Sequence, residues 1–104
     1  MISYESAKEL ADAGFPQRGN GSWMGSPAKL LWRSQDRVYA PTLEELIDGC
    51  GDDFSKLHKL RADEWQAEAM VRDDNQIRGV TRTGKSPEDA IARVWLALNT
   101  LRNL

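Results

Sequence analysis

Residues 54 to 72 read FSKLHKLRADEWQAEAMVR, and the fold turns on whether they form one helix or two strands. Leu57, Leu60 and the Ala, Glu and Gln content would suit a helix. However, Trp65, Ala67, Ala69 and Val71 alternate with Gln66, Glu68, Met70 and Arg72. A period of two is that of a strand with one face buried and the other wet. Periodicity reports burial, whereas composition reports only propensity. The pattern therefore predicts two strands, over 55–61 and 64–72. Asp73-Asp74-Asn75 makes a turn into a third strand, Ile77 to Arg82.

Downstream, Ser86 caps a helix with Pro87 at its first position and Asp89 closing a capping box. Ala90, Ile91, Val94, Trp95, Leu98 and Leu101 line one face of it. Upstream, Thr42 and Glu45 form another capping box. Leu43, Leu46 and Ile47 supply that helix with its apolar stripe, and Gly49-Cys50-Gly51 ends it. The chain opens with a helix over 3–13, capped by Ser3 and stopped by Gly14-Phe15-Pro16. Residues 17 to 27 read as a Gly/Ser/Pro loop carrying Trp23 and Met24. A short hairpin is expected next, Lys29 to Arg33 against Arg37 to Ala40, turned at Ser34-Gln35-Asp36 and ended by Pro41.

These elements define an α+β class. An N-terminal helix and short hairpin precede an α-β-β-β-α unit whose helices pack on an antiparallel sheet. A chain of 104 residues fits a single domain over 1–104. Its 40% hydrophobic and 29% charged residues are ordinary globular usage. The net charge of −2 supplies no general field for nucleic acid or acidic lipid. One cysteine excludes an internal disulfide and a multi-Cys zinc site. The first residues, MISYESAKELADAG, lack the apolar run of a signal peptide, and no stretch has the length of a membrane span. A cytoplasmic protein is expected.

Gly79-Val80-Thr81-Arg82-Thr83-Gly84-Lys85-Ser86 matches the G-x-x-x-x-G-K-S phosphate loop letter for letter. A working loop of that kind follows a buried, apolar parallel strand, and Asp74-Asn75-Gln76-Ile77-Arg78 is not one. No apolar strand ending in an acidic residue is available to order a metal. The simpler reading is strand, turn at Gly84, then a Ser86-capped helix, with no cofactor.

No catalytic or metal set emerges from the remaining residues. His58 is the only histidine, and Cys50 has no base that the pattern places beside it. Asp73-x-Asn75 begins like a calcium loop, but Arg78 and Gly84 stand where Gly and Glu are required. Four tryptophans are many for this length. Trp65 and Trp95 lie on apolar faces and belong to the core, while Trp32 suits core or surface. Trp23 has glycines around it and no periodicity to bury it. It is either a lid over the core or an anchor for a protein partner, with Met24 and Trp32 beside it. A second candidate surface is a basic face of Arg72, Arg78, Arg82 and Lys85, which would take nucleic acid.

The order helix, three antiparallel strands, helix over 42 to 101 resembles the double-stranded-RNA-binding domain. That family grips phosphate with lysines at the start of its last helix, whereas this helix opens Lys85-Ser86-Pro87-Glu88-Asp89. The pieces Ala13 to Gln17, Pro41 to Ile47 and Gly84 to Asn99 resemble small uncharacterised proteins of bacteriophages and prophages. That resemblance implies origin more than activity: an early or accessory phage protein that works inside the infected cell. Joined to the lack of a catalytic set, the small size and the Trp23 loop, it leads to the expectation of a non-enzymatic binding protein that inhibits or redirects a host or defence-system complex, an anti-CRISPR-like inhibitor being the sharpest form. A nucleic-acid-binding module is the alternative, and a nucleotide-binding protein the third.

Overall fold

A computed structural model describes residues 2–25, 37–73 and 76–102. Helix α1 spans Tyr4–Asp12, strands β1 and β2 span Ser22–Gly25 and Arg37–Ala40, and helix α2 spans Leu43–Cys50. A 3-10 turn at Gly51–Asp53 leads into strands β3 (Phe54–Arg61), β4 (Glu64–Asp73) and β5 (Gln76–Gly84). Helix α3, Pro87–Arg102, ends the described chain. The class is α+β. The expected α-β-β-β-α unit is present as α2, β3, β4, β5 and α3.

Strands β3, β4 and β5 form one antiparallel sheet in that order. Trp65 pairs with Gly84, Ala67 with Arg82, Ala69 with Val80 and Val71 with Arg78. Cross-strand partners share a face, so these eight residues look toward the helices. Ala67 and Ala69 are fully buried there, and Val80 nearly so. Small side chains in the middle of β4 let α3 lie close on the sheet. Gln66, Glu68, Met70 and Arg72 occupy the other face with Ile77, Gly79, Thr81 and Thr83 of β5.

Helix α3 is the centre of the molecule. It packs on β4 and β5 on one side and on α1 and α2 on the other. This explains a departure from the one-faced stripe: Ala92 is fully buried along with Ala90, Ile91, Val94 and Leu98. Trp95 turns toward α2, where its ring meets Phe15 edge-on at 5.1 Å. Gly49 leaves room for both rings, because a Cβ there would lie 2.9 Å from Phe15 and 3.2 Å from Trp95.

The caps follow the sequence closely. Gly14 (φ 95°) reverses the chain after α1, with bonds from its N–H to Ala11 O (3.1 Å) and from Phe15 N–H to Leu10 O (2.9 Å). Thr42 and Glu45 make the full capping box of α2. At α3 only the hydroxyl half of the expected box is seen, with Asp89 N–H donating to Ser86 Oγ at 3.1 Å. The Asp89 carboxylate is used elsewhere, accepting from Ser3 N–H at 2.8 Å and tying the first turn of α3 to the cap of α1. Such a bond joins residues 86 apart, and no local pattern announces it.

The small hairpin differs from expectation. Arg37–Ala40 is a strand, but it pairs with Ser22–Gly25, a segment read as loop. The expected partner, Lys29 to Arg33, lies outside the described residues, as does Trp32. Four residues set among Gly, Asn and Ser carry too little alternation to announce a strand. Pairing is decided instead by the backbone groups that β2 leaves open. Among the described residues, no helix is long and apolar enough to cross a membrane.

Candidate functional site

The β1–β2 hairpin projects the most exposed aromatic ring among the described residues. Trp23 is 55% exposed, although it stands opposite the fully buried Tyr39. The two rings meet edge-on at 5.7 Å between centroids. Trp23 is thus neither a lid over the core nor a freely hanging side chain. One edge rests on Tyr39 and the remainder faces solvent. Its neighbour Met24 is half-buried and packs against the core.

Tyr39 fixes this platform. Its hydroxyl accepts from Gly21 N–H at 2.6 Å and donates to the Glu45 carboxylate at 2.7 Å. Glu45 also accepts from Thr42 N–H at 2.9 Å. Gln17 bridges the remaining gap, its Oε1 accepting from Tyr39 N–H at 3.1 Å and its Nε2 donating to Phe15 O at 2.9 Å. The loop before β1 therefore lies clamped onto α2. Gly19 (φ 138°) has no room for a side chain, since a Cβ would strike the Glu45 carboxylate. At Gly21 a Cβ would strike Ala40 O.

The electrostatics are those of a structural network. Burial, then the Glu45 hydrogen bond, pushes the Tyr39 hydroxyl above its ordinary range. The Thr42 N–H holds the Glu45 carboxyl below its own, against the opposing effect of its desolvation. A carboxyl depressed in the folded state stabilises the fold above its unfolded value, and that contribution disappears as pH falls through the folded one. Wild type is accordingly expected to melt above Glu45→Gln at pH 7, with the gap narrowing as pH falls below the ordinary carboxylate range. Parallel melting curves of the two proteins from pH 7 to pH 3 check this. A gap that stays constant would show that Glu45 acts by shape alone.

Chemistry is poorly served here. Tyr39 is buried and its hydroxyl is engaged on both sides. A shallow pocket of about 210 Å³ beside the hairpin, lined by Ile2, Asn20, Ala40, Thr42, Leu43 and Glu88 among others, offers Glu88 as its one titratable side chain among the described residues. Cys50 is fully buried, and desolvation pushes its thiol up to about 11, the reverse of an activated nucleophile. His58 faces Gln66 on the outer face of the sheet. Among the described residues no group of three His, Cys, Asp or Glu side chains could hold a metal ion.

The phosphate-loop letters fall on strand β5. Gly79 to Gly84 are extended and paired residue by residue with Met70 to Trp65. Neither glycine has a positive φ. Gly84 is required for another reason: a Cβ there would lie 2.6 Å from Ala90 N, where β5 meets α3. The glycine that completes the motif thus serves strand–helix contact, and no loop is present to wrap a phosphate.

The four basic candidates do not form one face. Arg78 and Arg82 lie on the helix side of β5, while Arg72 points the other way, opposite Ile77. Lys85 follows the strand and is exposed. No local pattern announces Arg93 or the open edge of β5, because their proximity arises from the β5–α3 turn. Trp65, expected in the core, is half-buried with Lys59 Nζ 5.9 Å from its ring.

The architecture is a three-stranded antiparallel sheet with helices on one side and a two-stranded aromatic hairpin beside them. No family model, curated protein or solved structure matches the chain.

Proposed function

We propose that this chain is a non-enzymatic binding protein of the bacteriophage accessory type, acting in the host cytoplasm by docking on a host or defence-system protein complex. An anti-CRISPR-like inhibitor is its sharpest form. The observation that carries the binding part is Trp23, mostly exposed yet seated on a hydrogen-bonded Tyr39 platform. A large aromatic side chain that loses little freedom on binding is the type that dominates interface energy. The phage origin rests on the sequence resemblance alone. The separation of Arg72 from Arg78 and Arg82 weighs against the basic-face alternative, because phosphates would meet only part of the set.

Trp23→Ala should melt close to wild type, since the ring is largely in solvent, yet bind its partner at least ~2 kcal/mol more weakly. Affinity capture from host lysate with both proteins, followed by titration of the captured partner, measures this. A Trp23→Ala variant that folds and binds its partner normally would sink the proposal.

A further inference from the structure

Strand β5 is an edge of its sheet, and among the described residues nothing pairs with its far side. An open edge presents a row of backbone donors and acceptors, which proteins normally block. Here arginines do part of that work. Arg82 Nη1 donates to Thr81 O at 2.8 Å, and Arg93 Nη1, from α3, donates to Thr83 O at 2.8 Å. Both bonds are at the surface and are readily exchanged for others. Beside the edge runs a groove of about 380 Å³, lined by Glu9, Arg82, Arg93, Leu96, Ala97 and Thr100. Its wall is apolar at Leu96 and Ala97.

The charge along this edge is mainly basic, and Asp63 and Glu64 enter only at its end, where they line a second hollow with Lys85 and Arg93. Arg78, Arg82, Lys85 and Arg93 are all exposed, and no ion pair among the described residues engages them. Among the described residues Glu9 is the single acid that lines the groove. A second copy of this chain is a poor occupant. Antiparallel pairing of two β5 strands about Val80 would set Arg78 of one against Arg82 of the other, and directly opposed like charges destabilise a sheet. Nucleic acid would use the cations but leave the backbone edge unpaired.

We propose that the β5 edge is a docking site for an acidic, extended segment of a partner protein, which adds a fourth strand to the sheet. Backbone hydrogen bonds to β5 replace the arginine caps on Thr81 and Thr83. The released guanidinium groups of Arg82 and Arg93 pair with the carboxylates that the segment turns to the helix side of the sheet, and its alternate apolar side chains fall on the other face, in line with Ile77, Thr81 and Thr83. This site is separate from the Trp23 hairpin and does not depend on it.

The probe is a fluorescein-labelled ten-residue peptide of alternating Val and Glu, titrated into the full chain and followed by anisotropy. Two controls are the same peptide N-methylated at every residue, which blocks both of its edges, and a 20-base-pair RNA duplex of equal label. The Val/Glu peptide is expected to bind, to lose about tenfold in affinity or more against Arg82→Glu with Arg93→Glu, and to be weakened by N-methylation. It should also slow amide hydrogen exchange in Thr81 and Thr83. The double variant's melting temperature, expected near wild type, separates lost contacts from lost folding, and Trp23→Ala should bind the peptide as wild type does. Absence of binding by the Val/Glu peptide overturns the proposal. So does equal binding of the N-methylated form, which would leave charge alone at work, or tighter binding of the RNA duplex.

Discussion

Trp95→Ala is expected to lower the stability of this protein by about 3–5 kcal/mol, the range for deleting a large buried aromatic side chain. Trp95 is only 9% exposed, and its ring joins α3 to α2 and to the end of α1. The cost depends on whether the neighbours can collapse into the space. Phe15 is the obvious side chain to move, and it is held in place. Its N–H donates to Leu10 O at 2.9 Å, and its carbonyl accepts from Gln17 at 2.9 Å. Gly49 has no side chain to offer. The cavity therefore persists, and a domain whose whole stability is about 5–15 kcal/mol is left marginal. Denaturant unfolding of both proteins measures the difference. A cooperative Trp95→Ala protein with a near wild-type midpoint would show that this three-way contact is dispensable.

Gly84→Val is expected to cost about 3 kcal/mol, the upper part of the usual range for overpacking. The atoms in the way are backbone: Ala90 N at 2.6 Å and Asp89 C at 2.9 Å from the added Cβ. No side-chain rotation relieves such a contact, so the first turn of α3 has to move. That turn is also where the Asp89 carboxylate holds Ser3 N–H, so the displacement reaches α1. Lys85→Ala forms the contrast. Lys85 is exposed, and its loss should change stability by no more than about 0.5 kcal/mol. ATP or GTP should leave the melting temperature of wild type unchanged. A nucleotide bound at a hundredfold excess over Kd would add about 2.7 kcal/mol. Thermal melts of wild type, Gly84→Val and Lys85→Ala, with and without nucleotide, test both halves. A nucleotide-dependent shift that Lys85→Ala abolishes would restore the phosphate-loop reading.

The two variants also mark what was legible in the chain. A motif search sees Gly84 and Lys85 as one unit, because it reads letters. The polar run before Gly79 is not the buried apolar strand that a phosphate loop follows, and that much is legible in the residues themselves. The reason Gly84 has to be glycine was hidden, because Ala90 approaches it only after the chain turns. The candidate site was readable to a similar depth. Glycines around Trp23 marked it as unusual, but its platform could not be foreseen. Tyr39 and Gly21 meet only when β1 pairs with β2, and Glu45 looked like a helix cap and nothing more. It is a cap that also receives the Tyr39 hydroxyl.

Local chemistry determined a good deal by itself. The period of two in Trp65 to Arg72, the caps at Ser3, Thr42 and Ser86, and the stop at Gly14-Phe15 each act within a few residues, where backbone geometry and side-chain reach suffice. Tertiary structure decided the rest. It paired Arg37–Ala40 with Ser22–Gly25, because open backbone groups select partners by proximity as well as by pattern. It buried Ala92, because α3 has neighbours on two sides. It sent Arg72 to one face of the sheet and Arg78 and Arg82 to the other. In a strand pair, one residue of register exchanges every side chain between core and solvent, and register is a property of two strands together.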